Sequence, residues 1–137
     1  MALLILDAGP LVALLDRREK FHAWSREQFS SLRPPLITCD AVLTEAFHLT
    51  SGDPRPGQQL RRSLQTKLIV STFDSNQNLH RILELMEKYR DIPMSFADAC
   101  LVCMVENNPG ATLFTLDRDF TIYRQQRRRI IPLIAPF

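Results

Sequence analysis

The strongest constraint in this sequence is a regular alternation of short apolar runs with segments of helical periodicity. Residues 3–6, 36–39, 68–70, 112–116 and 130–134 read as buried strands. Between them, residues 9–15, 20–31, the stretch after Asp40, and residues 58–66, 75–90 and 96–107 repeat apolar side chains at helical spacing. Strands separated by helices form a parallel sheet, because a parallel pair needs a crossover about as long as a helix. The expected fold class is therefore α/β, three layers with a central parallel sheet of four to five strands flanked by helices. Ligands of such sheets sit at the carboxyl ends of the strands. Two runs end there on a carboxylate, Asp7 and Asp117.

Local signals place the boundaries. Gly9-Pro10 opens the first helix, and Arg33-Pro34-Pro35 ends the second, whose stripe is Phe21, Trp24, Gln28 and Phe29. Asp40 is expected to cap the third helix, which carries Val42, Leu43, Ala46, Phe47 and Leu49 inward and holds Glu45. Residues 51–57, rich in Gly and Pro, read as a loop forming a lid or rim before a basic helix over 58–66. Ser95 caps the helix over 96–107, which is apolar almost all round and should be central and buried, yet contains Asp98.

With 137 residues, 45% hydrophobic and 23% charged, the chain is expected to be one domain over 1–137 with a packed core. The opening apolar run from Ala2 to Leu6 is too short for a signal peptide or a membrane span, so a cytoplasmic location with no membrane partner is expected. Three cysteines, Cys39, Cys100 and Cys103, do not suggest a disulfide framework. Net charge is only +2, so distribution matters more than total. Basic groups fall at Arg17, Arg18 and Lys20, at Arg61, Arg62 and Lys67, and at Arg124 with Arg127 to Arg129. Arg61, Arg62, Lys67 and Arg127 are candidate phosphate contacts, which solvated helix faces explain about equally well. If the acids meet in a cleft, its rim is expected to be cationic.

The chemistry lies in the acids. Asp7, Glu45, Asp98 and Asp117 are far apart in sequence but sit on elements that should pack together. Two carboxylates about 5 Å apart repel by roughly 3 kcal/mol at an effective dielectric of 20. A hard divalent cation such as Mg²⁺ or Mn²⁺ offsets that repulsion, binds phosphate and acidifies a water, which points to phosphate-ester hydrolysis. An acid ending a strand is more often a cap than a ligand, so Asp7 alone is weak evidence. Asp98 weighs more, since a carboxylate on an apolar helix is costly unless paired or metal-bound; its plain alternative is an Arg partner. Glu45 alone reads equally well as a solvated helix residue. Asp117 competes with Asp119.

Taken together, Leu6-Asp7-Ala8-Gly9-Pro10-Leu11, Thr44-Glu45, Ser95-Phe96-Ala97-Asp98-Ala99 and Thr115-Leu116-Asp117-Arg118-Asp119-Phe120 resemble, in order and across the whole chain, the PIN-domain ribonucleases. The similarity is greatest to bacterial VapC-type toxins. It implies a PIN-like fold in which Asp7, Glu45, Asp98 and Asp117 are catalytic and hold one or two Mg²⁺ or Mn²⁺ ions. It also implies Thr115 and Asp119 as outer-shell groups, an RNA substrate, a small antitoxin partner and a homodimer. One departure follows Asp7: many relatives place Thr or Ser there, and this chain has Ala8 and Gly9. The function so implied is a metal-dependent endoribonuclease, the toxin of a toxin–antitoxin pair. The alternatives are a free-standing RNA-processing nuclease and a non-catalytic binding module of the same fold.

Other classes fit less well. Glu45 and His48 have Glu-x-x-His spacing, but a di-iron bundle needs two such motifs, so His48 is placed beside the acids as a packing or outer-shell residue. Cys100 and Cys103 lie inside a helix expected to be buried, which disfavours redox or zinc chemistry. No phosphate-binding Gly-rich loop is present. A haloacid-dehalogenase-type phosphatase would have Asp where Gly9 stands, and a receiver domain would show paired early acids and a late Lys.

Overall fold

The computed structural model describes residues 3–137; Met1 and Ala2, the start of the apolar opening run and of the domain expected over 1–137, lie outside the described residues. The chain runs β1 (Leu4–Leu6), α1 (Ala8–Leu15), α2 (His22–Ser30), β2 (Leu36–Thr38), α3 (Asp40–Leu49), α4 (Pro54–Gln65), β3 (Ile69–Ser71), α5 (Leu79–Lys88), α6 (Phe96–Asn107) and β4 (Thr112–Phe114). A 3₁₀ turn (Arg118–Thr121), a small hairpin of β5 (Arg124–Gln125) and β6 (Arg129–Ile130), and β7 (Leu133–Ile134) complete it. Five strands form one parallel sheet in the order β3-β2-β1-β4-β7, as the alternation of elements predicts.

Residue parity sorts the core into two layers, because successive strand side chains point to opposite faces. Ile5, Ile37 and Leu113 meet α5 and α6 on one face; Leu6, Leu36 and Phe114 meet α1 and α4 on the other. Helix α6 is central as expected, with seven consecutive buried residues from Ala99 to Val105. Such a helix has no solvated face, so its amphipathicity is nearly nil and only its first and last turns meet polar groups.

Four local expectations are corrected. Helix α4 begins at Pro54 and not at residue 58, since the Asp53 carboxylate accepts from Arg55 N at 3.1 Å and Pro54 and Pro56 fall in the first turn, where no N–H is needed. The loop before it shrinks accordingly. Asp40 is not a cap: Cys39 takes the cap position, and the Asp40 carboxylate accepts from Ser71 Oγ at 2.6 Å on β3. Helix α5 starts at Leu79 because Asp74 first collects the N–H groups of Asn76 and Gln77 in a turn. The last run is split: Gln126 and Arg127 turn with φ of 48° and 74°, Arg129 and Ile130 pair back onto β5, and only β7 joins the main sheet.

The order of strands places the functional edge. The chain winds outward from β1 through β2 to β3, then returns across α5 and α6 to add β4 on the other side of β1. The crevice above the carboxyl ends of β1 and β4 is thus the point where winding reverses, the place where open α/β sheets bind ligands.

Candidate active site

Asp7 follows β1 directly. Its N–H still donates to Phe114 O at 3.0 Å, extending the β1–β4 ladder by one residue, while its carboxylate caps α1 by accepting from Ala8 N at 2.7 Å. The second carboxylate oxygen accepts from Thr115 Oγ1 at 2.7 Å. Thr115 Oγ1 also accepts from Asp117 N at 3.0 Å, so one buried hydroxyl ties the end of β1 to the segment after β4. Asp117 in turn caps the 3₁₀ turn, accepting from Asp119 N at 2.9 Å.

Asp98 occupies the first turn of α6, whose cap is Ser95: Asp98 N donates to Ser95 Oγ at 3.0 Å. None of the described residues lining the cleft around its carboxylate is an Arg. The carboxylate's partner is Tyr123, fully buried, whose hydroxyl donates to Asp98 Oδ2 at 3.0 Å. Edge-on packing against Tyr89 and Phe120, with ring centroids 5.0 and 5.2 Å away, holds that ring in place. Glu45 projects from α3 and is exposed. Because α1, α6 and the 3₁₀ turn all begin here, their partly positive N-termini surround the acids.

These side chains share one cleft of about 1080 Å³, lined by Asp7, Glu45, Asp98 and Asp117 and also by Asp40, Asp119 and His48. The electrostatics register the crowding. Burial, aided by the charges of Asp98 and Glu45, raises the Asp7 pKa to about 7 despite the bonds from Thr115 and Ala8. Burial, with the Asp117 charge, also raises Asp98 against its Tyr123 bond. Burial and then Asp117 raise Asp119.

All four catalytic candidates thus face the cleft, as do the outer-shell candidates Asp119 and His48, while Thr115 lies buried beneath Asp7. The basic candidates do not join them. Arg62 lines a separate groove with Arg17, Arg26 and Arg55, Arg61 lines a depression beside Asp53, and Arg127 lies beside Arg81 and Glu106. Lys67 is exposed at the turn into β3, with φ of 64°. No Lys or Arg is among the described residues lining the acid cleft, so the cationic rim expected from sequence is corrected. Helix geometry gives the reason: α4 packs by Leu60 into the layer opposite α6, and carries its arginines away with it.

The sequence reading missed Tyr123, Asp40 and Phe96. Tyr123 left only a faint signal, the demand of any buried tyrosine for a hydroxyl partner. Asp40 was assigned to capping, although Ala41, Thr44, Glu45 and His48, all lining the cleft, already traced one helical face. The departure at Gly9 gains a steric reason, since a Cβ there would stand 3.2 Å from Leu116 Cβ.

The four candidate acids suit a hard divalent cation: they offer oxygen ligands, repel one another, and have no lysine or arginine among the described lining residues to neutralise them. Among the described residues no three His, Cys, Asp or Glu side chains are gathered tightly enough to hold an ion by themselves. Mg²⁺ does not require such a cage, because it keeps several waters and needs one or two carboxylates plus substrate phosphate.

A parallel α/β domain with an acid-lined cleft at its winding reversal defines the class. The family model of the PIN domain matches residues 4–125, and the chain belongs to that family. Among solved structures, the Mycobacterium tuberculosis toxin VapC20, described as cleaving the sarcin-ricin loop, matches with a TM-score of 0.77 and 16% identity. The match covers 92% of this chain and 98% of that one, a likeness of fold. No curated protein matches the sequence.

Proposed function

We propose that this PIN-domain chain is a metal-dependent endoribonuclease that hydrolyses RNA phosphodiester bonds, acting as the toxin of a toxin–antitoxin pair. The observation that carries the reading is the placement of Asp7: a buried carboxylate that opens, with Glu45, Asp98 and Asp117, onto one cleft whose described lining residues include no lysine or arginine. Family membership and the fold shared with VapC20 support it.

Asp7, Glu45, Asp98 and Asp117 would hold one or two Mg²⁺ or Mn²⁺ ions. When bound, such an ion lowers the pKa of water and neutralises charge on a phosphate. The chain's own contribution is orientation. Thr115 fixes one Asp7 oxygen and the backbone of Asp117; Tyr123 fixes one oxygen of Asp98. Asp117 is preferred to Asp119 as the fourth ligand because, beyond burial, it is the charge of Asp117 that adds to the rise of Asp98. The same reading carries a small antitoxin as inhibitor, a homodimer and a cytoplasmic setting; among the described residues no helix is long and apolar enough to cross a membrane.

The test is cleavage of single-stranded RNA by the purified protein with Mn²⁺ or Mg²⁺, stopped by chelator. Asp117→Asn should lose far more activity than Asp119→Asn. The rival reading, a non-catalytic module of the same fold, draws on the lack of a tight three-ligand cluster among the described residues. Absence of cleavage with either metal, across RNA substrates, would favour it.

A further inference from the structure

The acid cleft has one wall that its acids do not explain. At the start of α6, Phe96 is 39% exposed and lines the cleft two residues before Asp98, with Pro93 and Leu116 also in the lining. Phe96 belongs to neither hydrophobic core. Several other large apolar side chains are exposed on this protein, so exposure alone means little. The location is what distinguishes this one: Phe96 is the only Phe, Tyr or Trp among the described residues lining the cleft.

Among the described residues lining this cleft, an entering RNA strand meets Asp7, Asp40, Glu45, Asp98, Asp117 and Asp119 and no lysine or arginine. Its flanking phosphates are repelled, apart from any phosphate that shares a bound cation. Affinity for the neighbouring nucleotides must then come from uncharged contacts. A base face against an aromatic ring supplies one, and every base has such a face. A base can reach an aromatic side chain in this way only when unpaired and unstacked from its own strand.

We infer that Phe96 is the stacking platform for a nucleobase adjoining the scissile phosphate. The inference rests on the nuclease reading above and deepens it by assigning a base subsite. Phe96 acts on binding, and the carboxylates on the reaction.

Steady-state cleavage of a short single-stranded RNA with Mn²⁺ tests it, alongside anisotropy of the same labelled RNA in Ca²⁺ to read binding separately. Phe96→Ala and Phe96→Leu should each raise KM by about fivefold or more, the lower end of what one stacked base contributes, with kcat little changed. Phe96→Tyr and Phe96→Trp should keep KM near that of the parent. The leucine variant keeps an apolar side chain and loses the ring face, so it separates stacking from simple packing. RNAs carrying one abasic nucleotide at successive positions beside the cleaved bond should show the same KM penalty with the parent at one position, and none with Phe96→Ala. Unchanged KM in Phe96→Ala, or penalties from the variant and the abasic site that add, overturns the base subsite while leaving the nuclease standing. Binding weakened by Phe96→Ala in a parent that does not cleave would sustain the subsite and overturn the nuclease. A change in oligomeric state of Phe96→Ala, with RNA binding intact, would assign the ring to a subunit contact and also overturn the inference.

Discussion

Helix α6 carries a carboxylate at each end, and the two are treated in opposite ways. Glu106, in its last turn, has a side chain 8% exposed, and Arg81 clasps it through two bonds of 3.0 and 2.9 Å while Gln126 N donates at 2.7 Å. Burial pushes Glu106 up, but the Arg81 and Gln126 bonds outweigh it, and its pKa is lowered. Asp98, in the first turn, is bonded by Tyr123 and Ser95, neither of them a cation, and burial together with the Asp117 charge outweighs those bonds, so its pKa is raised. The acid left without a cation lies on the cleft at the strands' carboxyl edge; the neutralised one pins the β5–β6 hairpin to the helix. The difference teaches which carboxylate the fold neutralises itself and which it leaves open on the cleft.

The sharpest way to break this comparison is to neutralise each acid. Asp98→Asn should lower RNA cleavage by at least about a hundredfold, the scale of removing one preorganised electrostatic group, with the circular dichroism spectrum unchanged. Glu106→Gln should leave the cleavage rate within about twofold but lower Tm, since it leaves Arg81 half-paired at a cost of roughly 2–3 kcal/mol, several degrees for a domain of this size. Equal activity losses in the two variants would erase the distinction.

Titration should separate the cleft acids from Glu106 with opposite signs. Asp7 releases its proton near pH 7 when folded and near 3.8 when unfolded. Between these values the folded chain holds a proton that the unfolded chain has lost, so stability falls as pH rises through the window and levels off above about 7. The gap corresponds to roughly 4 kcal/mol for this buried group. Melting curves in chelator from pH 4.5 to 8 should show that fall, and Asp7→Asn should flatten it. Glu106 has the reverse linkage, because its lowered pKa makes its contribution fade as pH drops. Glu106→Gln should therefore leave the slope above pH 5 intact.

Divalent metal should act on the cleft acids and not on Glu106. Millimolar Mn²⁺ at pH 7.5 should raise Tm, by about 2.7 kcal/mol of added stability at a hundred times Kd. Asp7→Asn should weaken the rise, and Glu106→Gln should not. The smallest effect belongs to Tyr123→Phe, which removes one hydrogen bond worth about 1 kcal/mol and frees the Asp98 carboxylate. Calorimetric titration should show Mn²⁺ binding weakened by about tenfold, as for loss of a group orienting a ligand. Unchanged affinity would reduce Tyr123 to a packing role.

Much of this was legible in the residues themselves. Apolar runs 3–6, 36–39, 68–70 and 112–116 became strands because nothing else in them competes with burial, and Ser95 could be assigned as a cap because its side chain acts within one turn. Asp7, Asp98 and Asp117 stood out by contrast with the apolar segments around them. Glu45 did not, being one polar residue on a polar face, and was carried by resemblance. The hairpin of β5 and β6 was hidden because its turn residues, Gln126 and Arg127, adopt a positive φ that neither residue type advertises.

The sequence by itself therefore determined the alternation of elements, the parallel sheet and the acids at strand ends, since periodicity, capping and burial cost are local. Only the tertiary structure decided which charges meet. It put Tyr123 and not an arginine on Asp98, gave Arg81 to Glu106, and turned the arginines of α4 into the other layer. Those pairings depend on strand order and on how helices pack across the sheet, and contacts between residues 25 to 108 positions apart leave no periodic trace in the chain.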